Sequence, residues 1–456
     1  MSGANTAEPI MPLQTATVFP GSWLLGALPS IRRDYLGTIG AIARRGDIVR
    51  FRLLHQPVFL ITRPELIEHV LVAHPERYVK GTRGYRLMRF VVGNGLLTSD
   101  GDFWLRQRRI AQPAFHRKRI EAFGEVMTTL TRAMLERWRS LPEMRHGFDV
   151  SREMMRLTLQ IVGATLLSRD VTADAGDVGE ALTTSLAQII YRLYTPWALP
   201  QVVPTSRNRR ARAAIATLDR VVGAIIEDRR RSTDRHDDLL DMLLHARDPE
   251  TGEGMTDAQL RDEVMTLFLA GHETTAMALT WTLHLLGQHP DVEQKLRDEL
   301  RPFGEEPLTA SDSARLDLTG RVVQEAIRLY PPVWIFGRSA IAEDVLGGCR
   351  VRPGDWVLIS PWATHRAPDL WPDPERFDPD RFLPEQSHGR HRFAYLPFSG
   401  GGRKCIGDQF AMLEAKLVLG TLMQQVRLAL DPGHPVEPQP LLTLRPRKGV
   451  MMRLVE

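Results

Sequence analysis

The chain has 456 residues, 43% of them hydrophobic and 25% charged, which is enough apolar material for a large core and too ordinary a charge fraction for a disordered chain. Its net charge of +4 is mild, so any basic partner surface must come from distribution rather than sum. Only Cys349 and Cys405 are present, far apart and in no C-x-x-C pair, which excludes a disulfide framework and suits a reducing cytosol.

Met1 to Thr15 lacks the basic start and apolar core of a signal peptide, and no run approaches the ~18 apolar residues of a membrane span. A cytoplasmic protein is expected, with residues 1–20 as a flexible N-terminal segment and 21–456 as one domain. Ile48 to Leu54 and Val58 to Thr62 flank His55-Gln56-Pro57 and predict a β-hairpin. Trp104 and Arg108 stand four apart in a helical stretch, so an indole N–H and a guanidinium share one face, both suited to carboxylates. Arg231 to Asp238, Arg247 to Gly254 and Pro384 to Arg392 are short polar breaks that read as loops.

Thr256 is a good N-cap residue, and from there to about Gln288 Leu260, Val264, Leu267, Phe268, Ala278, Leu285 and Leu286 keep helical spacing. A rod of roughly 48 Å, apolar on much of its circumference, is expected at the centre of the fold. A further helix is predicted over Thr319 to Leu329, carrying Glu325 and Arg328 and ended by Pro331-Pro332. Val345 to Val351 and Trp356 to Ser360 are divided by Pro353-Gly354 and read as a second strand pair. Gln409 to Gly420 has helical period, with Phe410, Leu413 and Leu417 on one face. With no repeat and no βαβ rhythm, the predicted class is α+β, mainly helical with small sheets.

The most informative segment runs from Phe398 to Gly407. Gly400, Gly401 and Gly402 give a backbone able to take positive φ and lie flat against another group. Cys405 falls just before a helix N-terminus, where free N–H groups and the dipole favour a thiolate. A lone cysteine in a glycine turn is ordinarily structural, and the glycines and Arg403 weigh against that here. A cysteine nucleophile would need a base, and no histidine is close in sequence. A dinucleotide loop would need a third glycine and a βαβ unit.

Within the long helix, Ala270-Gly-His-Glu-Thr-Thr275 is poor helix material, costing roughly 1 kcal/mol at the glycine alone. Threonine hydroxyls bonding back four residues also bend a helix, which suits a local opening for a small ligand. His272-Glu273 begins H-E-x-x-H, but the fifth position is Ala276, so a zinc protease is excluded. An ordinary exposed helical turn remains the alternative.

Phe398, Gly401, Arg403, Cys405 and Gly407 fill the pattern F-x-x-G-x-R-x-C-x-G, which resembles the haem-binding signature of the cytochrome P450 family. Ala270 to Thr275 is similar to that family's A-G-x-[DE]-T-T stretch. The resemblance spans the chain from the hairpin near Ile48 to the C-terminal strands, and implies the family's fold, with the long helix crossing over a haem b. It implies Cys405 as the proximal thiolate ligand of the iron, donating electron density that favours O–O cleavage. Thr274 would hydrogen-bond dioxygen and Glu273 would help relay protons to it. Glu325 and Arg328 resemble the family's E-x-x-R, and Pro374 to Phe377 its partner segment, which implies a buried Glu325–Arg328–Arg376 network supporting the cysteine loop. Trp104, Arg108, Arg338 and Arg403 are the implied propionate contacts, with Arg109 as an alternative to Arg108.

The implied activity is hydroxylation or epoxidation of a lipophilic small molecule, a fatty acid, terpenoid or other secondary metabolite. Electrons would come from NAD(P)H through a separate ferredoxin or flavodoxin-type donor and its reductase, and a monomer is expected. The pocket is assigned to a loop from Gly81 to Gly95, to Leu267 and Ala270, and to Val333, Trp334 and Ile335, with Tyr191 to Trp197 at the entrance. Arg83, Arg86 and Arg89 are candidate carboxylate anchors or solvated loop residues. Arg106, Arg109, Arg117, Lys118, Arg119, Arg390, Arg392 and Lys404 are read as a basic platform for an acidic electron donor; no nucleic-acid motif accompanies them. Two rivals stay open: a peroxide-driven or rearranging haem-thiolate enzyme, and a non-catalytic haem sensor or carrier.

Overall fold

The computed structural model describes residues 15–169, 175–232, 238–248 and 250–455, which fold as two compact units. The first unit takes in residues 15–82, Ile335–Ala367 and His391–Arg403. Its sheet has six strands, in the order Thr17–Val18, Ile48–Leu53, Gln56–Ile61, Trp356–Ile359, Phe336–Ala340, Tyr78–Val79. Val49 and Phe51 are buried while Arg50 and Arg52 are exposed, the period of a strand with one dry face. The hairpin is present as expected, but its turn falls at Leu54-His55, where Leu54 takes φ 57°. Residues 1–14 of the expected N-terminal segment lie outside the described residues. From there on the chain is tied down, because Thr17–Val18 pair in parallel with Val49 and Arg50.

The second expected strand pair is corrected. Asp344–Leu346 and Cys349–Val351 form their own hairpin, with Leu346 opposite Cys349. Gly347 and Gly348 have φ of 55° and 77°, the two positive values that a two-residue type I′ turn demands. Trp356–Ile359 instead joins the large sheet between Gln56–Ile61 and Phe336–Ala340.

The second unit, residues 83–334, 368–390 and 404–455, is mainly helical. Its principal helices are α1 (Arg83–Val92), α2 (Gly101–Ala111), α3 (Val150–Leu166), α4 (Ala175–Tyr194), α5 (Ser206–Arg231), α6 (Asp257–Gln288), α7 (Asp317–Leu329) and α8 (Asp408–Gln425). The expected central helix is α6, and its N-cap is a capping box between Thr256 and Gln259. α3 packs along α6, and α7 and α8 also lean on it. Gly271 is a packing glycine: a Cβ there would come within 3.1 Å of Val162 on α3. The segment expected as a loop from Gly81 to Gly95 is largely helix α1. Tyr85, Met88, Val91 and Val92 are buried at helical spacing, and the glycines punctuate its ends. Arg89 donates to the Thr98 carbonyl and Arg83 to the Arg192 carbonyl at 3.1 Å. Among the described residues no helix is long and apolar enough to cross a membrane.

Candidate active site

Cys405 lies just before α8, whose N-cap is Gly407. Solvent reaches its side chain, yet enough protein surrounds it that burial pushes the thiol pKa up. A hydrogen bond with the Gly407 amide pulls in the opposite sense, as do the nearby charges of Arg108 and Lys404. The Arg108 guanidinium is half-buried and donates to the Lys404 carbonyl at 3.1 Å, which fixes it beside the thiol. Left alone, such a sulfur stays protonated; a bound metal cation would hold it ionised. An accessible sulfur, ready-made donors around it and burial that penalises the free thiolate together fit a metal-ligand role. Trp104, four residues before Arg108 on α2, is likewise half-buried. Arg109 is committed elsewhere, to Asp248 at 3.1 Å and Glu250 at 2.5 Å, so Arg108 is the better anion donor of the two.

The glycines before the cysteine belong to the first unit. Gly401 has φ 65°, and a Cβ there would collide with the Leu71 carbonyl oxygen. Gly400 is closed off in the same way by the Phe393 ring. Only glycine permits so flat a loop. Phe398 and Arg403 are half-buried in the same loop. Arg338 is buried, with its guanidinium donating to the Gly337 carbonyl at 2.9 Å and lying over the Phe336 ring.

Helix α6 is buried along most of its length, with one gap. Ala270 is exposed, and Gly271 and Thr274 are half-buried, between turns that are closed. Ala270 and Thr274 lie on one face, and the Thr274 hydroxyl donates to the Ala270 carbonyl at 2.8 Å. The helix itself continues unbroken through this stretch, so the gap is one of exposure and not of helical bonding. Leu267, one turn earlier, is buried.

Glu273 does not share that face. Its carboxylate is buried and accepts from the Thr443 hydroxyl and from Arg445 Nε at 2.8 Å, with Arg445 Nη2 2.6 Å away completing the ion pair. Glu273, expected to help relay protons, is held in an ion pair that ties α6 to the strand Leu444–Pro446. Thr443 and Arg445 are partners of Glu273 that the sequence reading missed. His272 is buried, with Nδ1 against the Phe268 carbonyl at 2.8 Å; it is a core residue.

The Glu325–Arg328 pair is fully buried at 2.7 Å. Arg328 also donates to the backbone carbonyls of Pro374 and Arg376 at 2.7 and 3.1 Å. The expected third member is corrected: the Arg376 guanidinium is 68% exposed, and only its carbonyl enters. Arg381 takes the place beside Glu325, at 3.4 Å. Burial pushes the Glu325 pKa up while Arg328 pulls it back.

Of the expected pocket residues, Val333 is exposed and Ile335 half-buried. Trp334 is buried and donates its indole N–H to the Leu441 carbonyl at 2.9 Å, so it anchors backbone rather than lining space. The basic platform is largely neutralised. Arg106 meets Glu253, Arg117 meets Glu121, Lys404 meets Asp408 and Arg392 meets Glu68. Arg390 lies over the Trp371 ring at 4.3 Å.

Three comparisons place this geometry. The sequence model of the cytochrome P450 family matches residues 18–453. Cyclooctatin synthase of Streptomyces melanosporofaciens is 40% identical over 94% of this chain and 93% of its own length. Cyclooctat-9-en-7-ol 5-monooxygenase of the same organism is 38% identical, with coverage of 94% and 93%. Pentalenene oxygenase of Streptomyces avermitilis is 34% identical, with coverage of 94% and 96%. Among solved structures, the cytochrome P450DA heme domain superposes with a TM-score of 0.88 at 28% identity, over 98% of each chain.

Proposed function

This chain belongs to the cytochrome P450 family and is a haem-dependent monooxygenase, and from that premise we propose that it hydroxylates or epoxidises a terpenoid. The observation that carries the proposal is the gap in α6, where Ala270, Gly271 and Thr274 open one face of a buried helix in the unit that also presents Cys405. Cys405 would hold the iron, with Trp104 and Arg108 of the same unit as anchors for the haem carboxylates. Haem, when bound, supplies the activation of dioxygen that the protein's own side chains lack.

The protein's part is to position, to keep water out and to handle protons. The Thr274 hydroxyl has one proton and two lone pairs. With the proton on the Ala270 carbonyl it presents an acceptor to the opening; rotated, it becomes a donor there. It thus passes a proton at Oγ1 without carrying charge. Glu273 acts through position: paired with Arg445, it fixes the pitch of the turn that displays Thr274. Leu267, Ala270 and Val333 bring apolar surface suited to a hydrocarbon, and the names of the three relatives favour a terpene skeleton. As a P450 monooxygenase the chain uses dioxygen and a redox partner; we assign that role to a ferredoxin with an NAD(P)H-dependent reductase.

The test is reconstitution with a ferredoxin, its reductase and NADPH under ¹⁸O₂ against a panel of cyclic terpenes, read by mass spectrometry. One labelled oxygen per product is expected. Turnover confined to fatty acids, or product free of label, would overturn the assignment.

A further inference from the structure

Asp344 opens the short hairpin of the first unit and is 3% exposed. Four donors meet its carboxylate. Arg77 Nη1 at 2.7 Å and the Val345 amide at 2.9 Å share one oxygen, and the Tyr78 hydroxyl at 2.6 Å and His69 Nε2 at 2.9 Å share the other. An ionised carboxylate accepts about four bonds and donates none, so the group is saturated and His69 carries a proton at Nε2. Burial pushes the Asp344 pKa up, but the bonds from Tyr78 and His69 outweigh it and hold the carboxyl below its ordinary value.

Three of those donors come from one short segment. His69 begins a turn, His69–Ala73, that winds wider than an α-helix, with the His74 amide donating at 2.9 Å to the His69 carbonyl five residues back. Arg77 and Tyr78 follow that turn, so Asp344 grips it from both ends. So wide a turn is rare and is concentrated at functional sites. Stability does not account for the arrangement either. A buried ion pair is often no more stable than apolar packing of the same volume, and its best-attested use is to fix register.

What is held in register lies in the middle of the turn. The Leu71 carbonyl oxygen fills the place that a Cβ on Gly401 would need, and Gly401 takes φ 65°. All of these residues belong to the first unit. Gly401 stands four residues before Cys405, so the stop reaches the sulfur along the chain itself. The Gly407 amide hydrogen-bonds with that sulfur, and bonds of this kind tune how a thiolate sets the potential of its iron.

We propose that Asp344 is a positioning residue for the cysteine loop: by clamping His69, Arg77 and Tyr78 it keeps the Leu71 carbonyl against Gly401, and through that stop it sets the reduction potential of the haem. The proposal rests on Cys405 as the iron ligand.

The experiment titrates haem-loaded, substrate-free protein spectroelectrochemically with redox dyes, and records the reduced carbon monoxide complex alongside. At the parent's midpoint, reduced and oxidised protein are equal. Asp344→Asn, which puts a donor where an oxygen accepted, and His69→Leu should each shift that ratio at least threefold, or about 28 mV at 59 mV per tenfold. His69→Gln, whose Nε2 still donates to the carboxylate, should stay within about 1.5-fold of the parent. Should Asp344→Asn fail to load haem, the two His69 variants decide, since that side chain is 27% exposed. Potentials that stay put while thermal midpoints fall would make the cluster structural only and overturn the proposal, as would His69→Gln moving as far as His69→Leu. A parent without the red-shifted carbon monoxide band sinks the Cys405 assignment and this proposal with it. A parent that shows the band beside unmoved variants sinks this proposal alone.

Discussion

Glu263, on α6, is 1% exposed, and one of its oxygens accepts from the Leu96 amide at 3.0 Å. The other is buried without a partner. Burial raises its pKa from 4.5 to about 7, against the pull of the Leu96 hydrogen bond and with some help from Asp262. Between those values the folded protein holds a proton that the unfolded chain has released, so stability falls as pH rises from 4.5 through 7. A gap of that size is worth about 3 kcal/mol. Glu263→Gln keeps an oxygen for Leu96 and cannot ionise. Its stability relative to the parent should therefore climb by about 3 kcal/mol between pH 4.5 and 7.5. At ~2.1 cal/mol/K per residue, unfolding entropy here is about 1 kcal/mol/K, so the climb is about 3 °C in thermal midpoint. His284 sharpens the test, because burial lowers its pKa from 6.5 to about 4. The unfolded state binds its proton first, so His284 adds stability as pH rises from 4 to 6.5 and offsets Glu263 in the parent. Midpoints at one scan rate and several pH values decide the matter. A difference between variant and parent that does not change with pH would refute the reasoning.

Cys405→Ala should remove the red-shifted Soret band of the reduced carbon monoxide complex and with it all turnover; persistence of the band would sink the ligand assignment. Thr274→Ala should keep haem binding but lower the yield of product per NADPH several-fold and raise peroxide release; undiminished peroxide-supported turnover with no loss of coupling would favour the peroxide-driven rival. Arg328→Leu takes from the buried Glu325 its closest counter-charge and leaves it only Arg381 at 3.4 Å, costing about 3 kcal/mol, whereas Arg376→Ala should stay within about 0.5 kcal/mol; equal losses in thermal midpoint would restore Arg376 to the network. Arg445→Ala should lower the midpoint by a few degrees and uncouple turnover partway towards Thr274→Ala; full coupling in that variant would deny Glu273 its positioning role.

What could be read from the sequence was what is encoded locally. The α6 cap and length follow from Thr256, Gln259 and a helical period that runs unbroken to Gln288. The cysteine loop was legible because Gly401, Arg403, Cys405 and Gly407 all answer to one short stretch of backbone. The misjudged elements had competing local signals. Gly347-Gly348 and Pro353-Gly354 are both turn dipeptides, and only the positive φ of the first pair shows which one closes a hairpin. The glycines around α1 looked like a loop when they were its boundaries.

The partners of buried charges were not legible, and for a different reason. Glu273 and Arg445 are 172 residues apart, and Glu325 finds Arg381 rather than the nearer-looking Arg376. No period or spacing encodes such pairs; burial chooses them, because an ionised group leaving water takes whichever counter-charge the packed backbone brings within reach. That selection explains the division of labour on α6. Thr274, uncharged, can stand on the open face and change its hydrogen bonds freely. Glu273, one residue on the closed side, meets its counter-charge in Arg445, which ties α6 to the strand Leu444–Pro446 beside that open face.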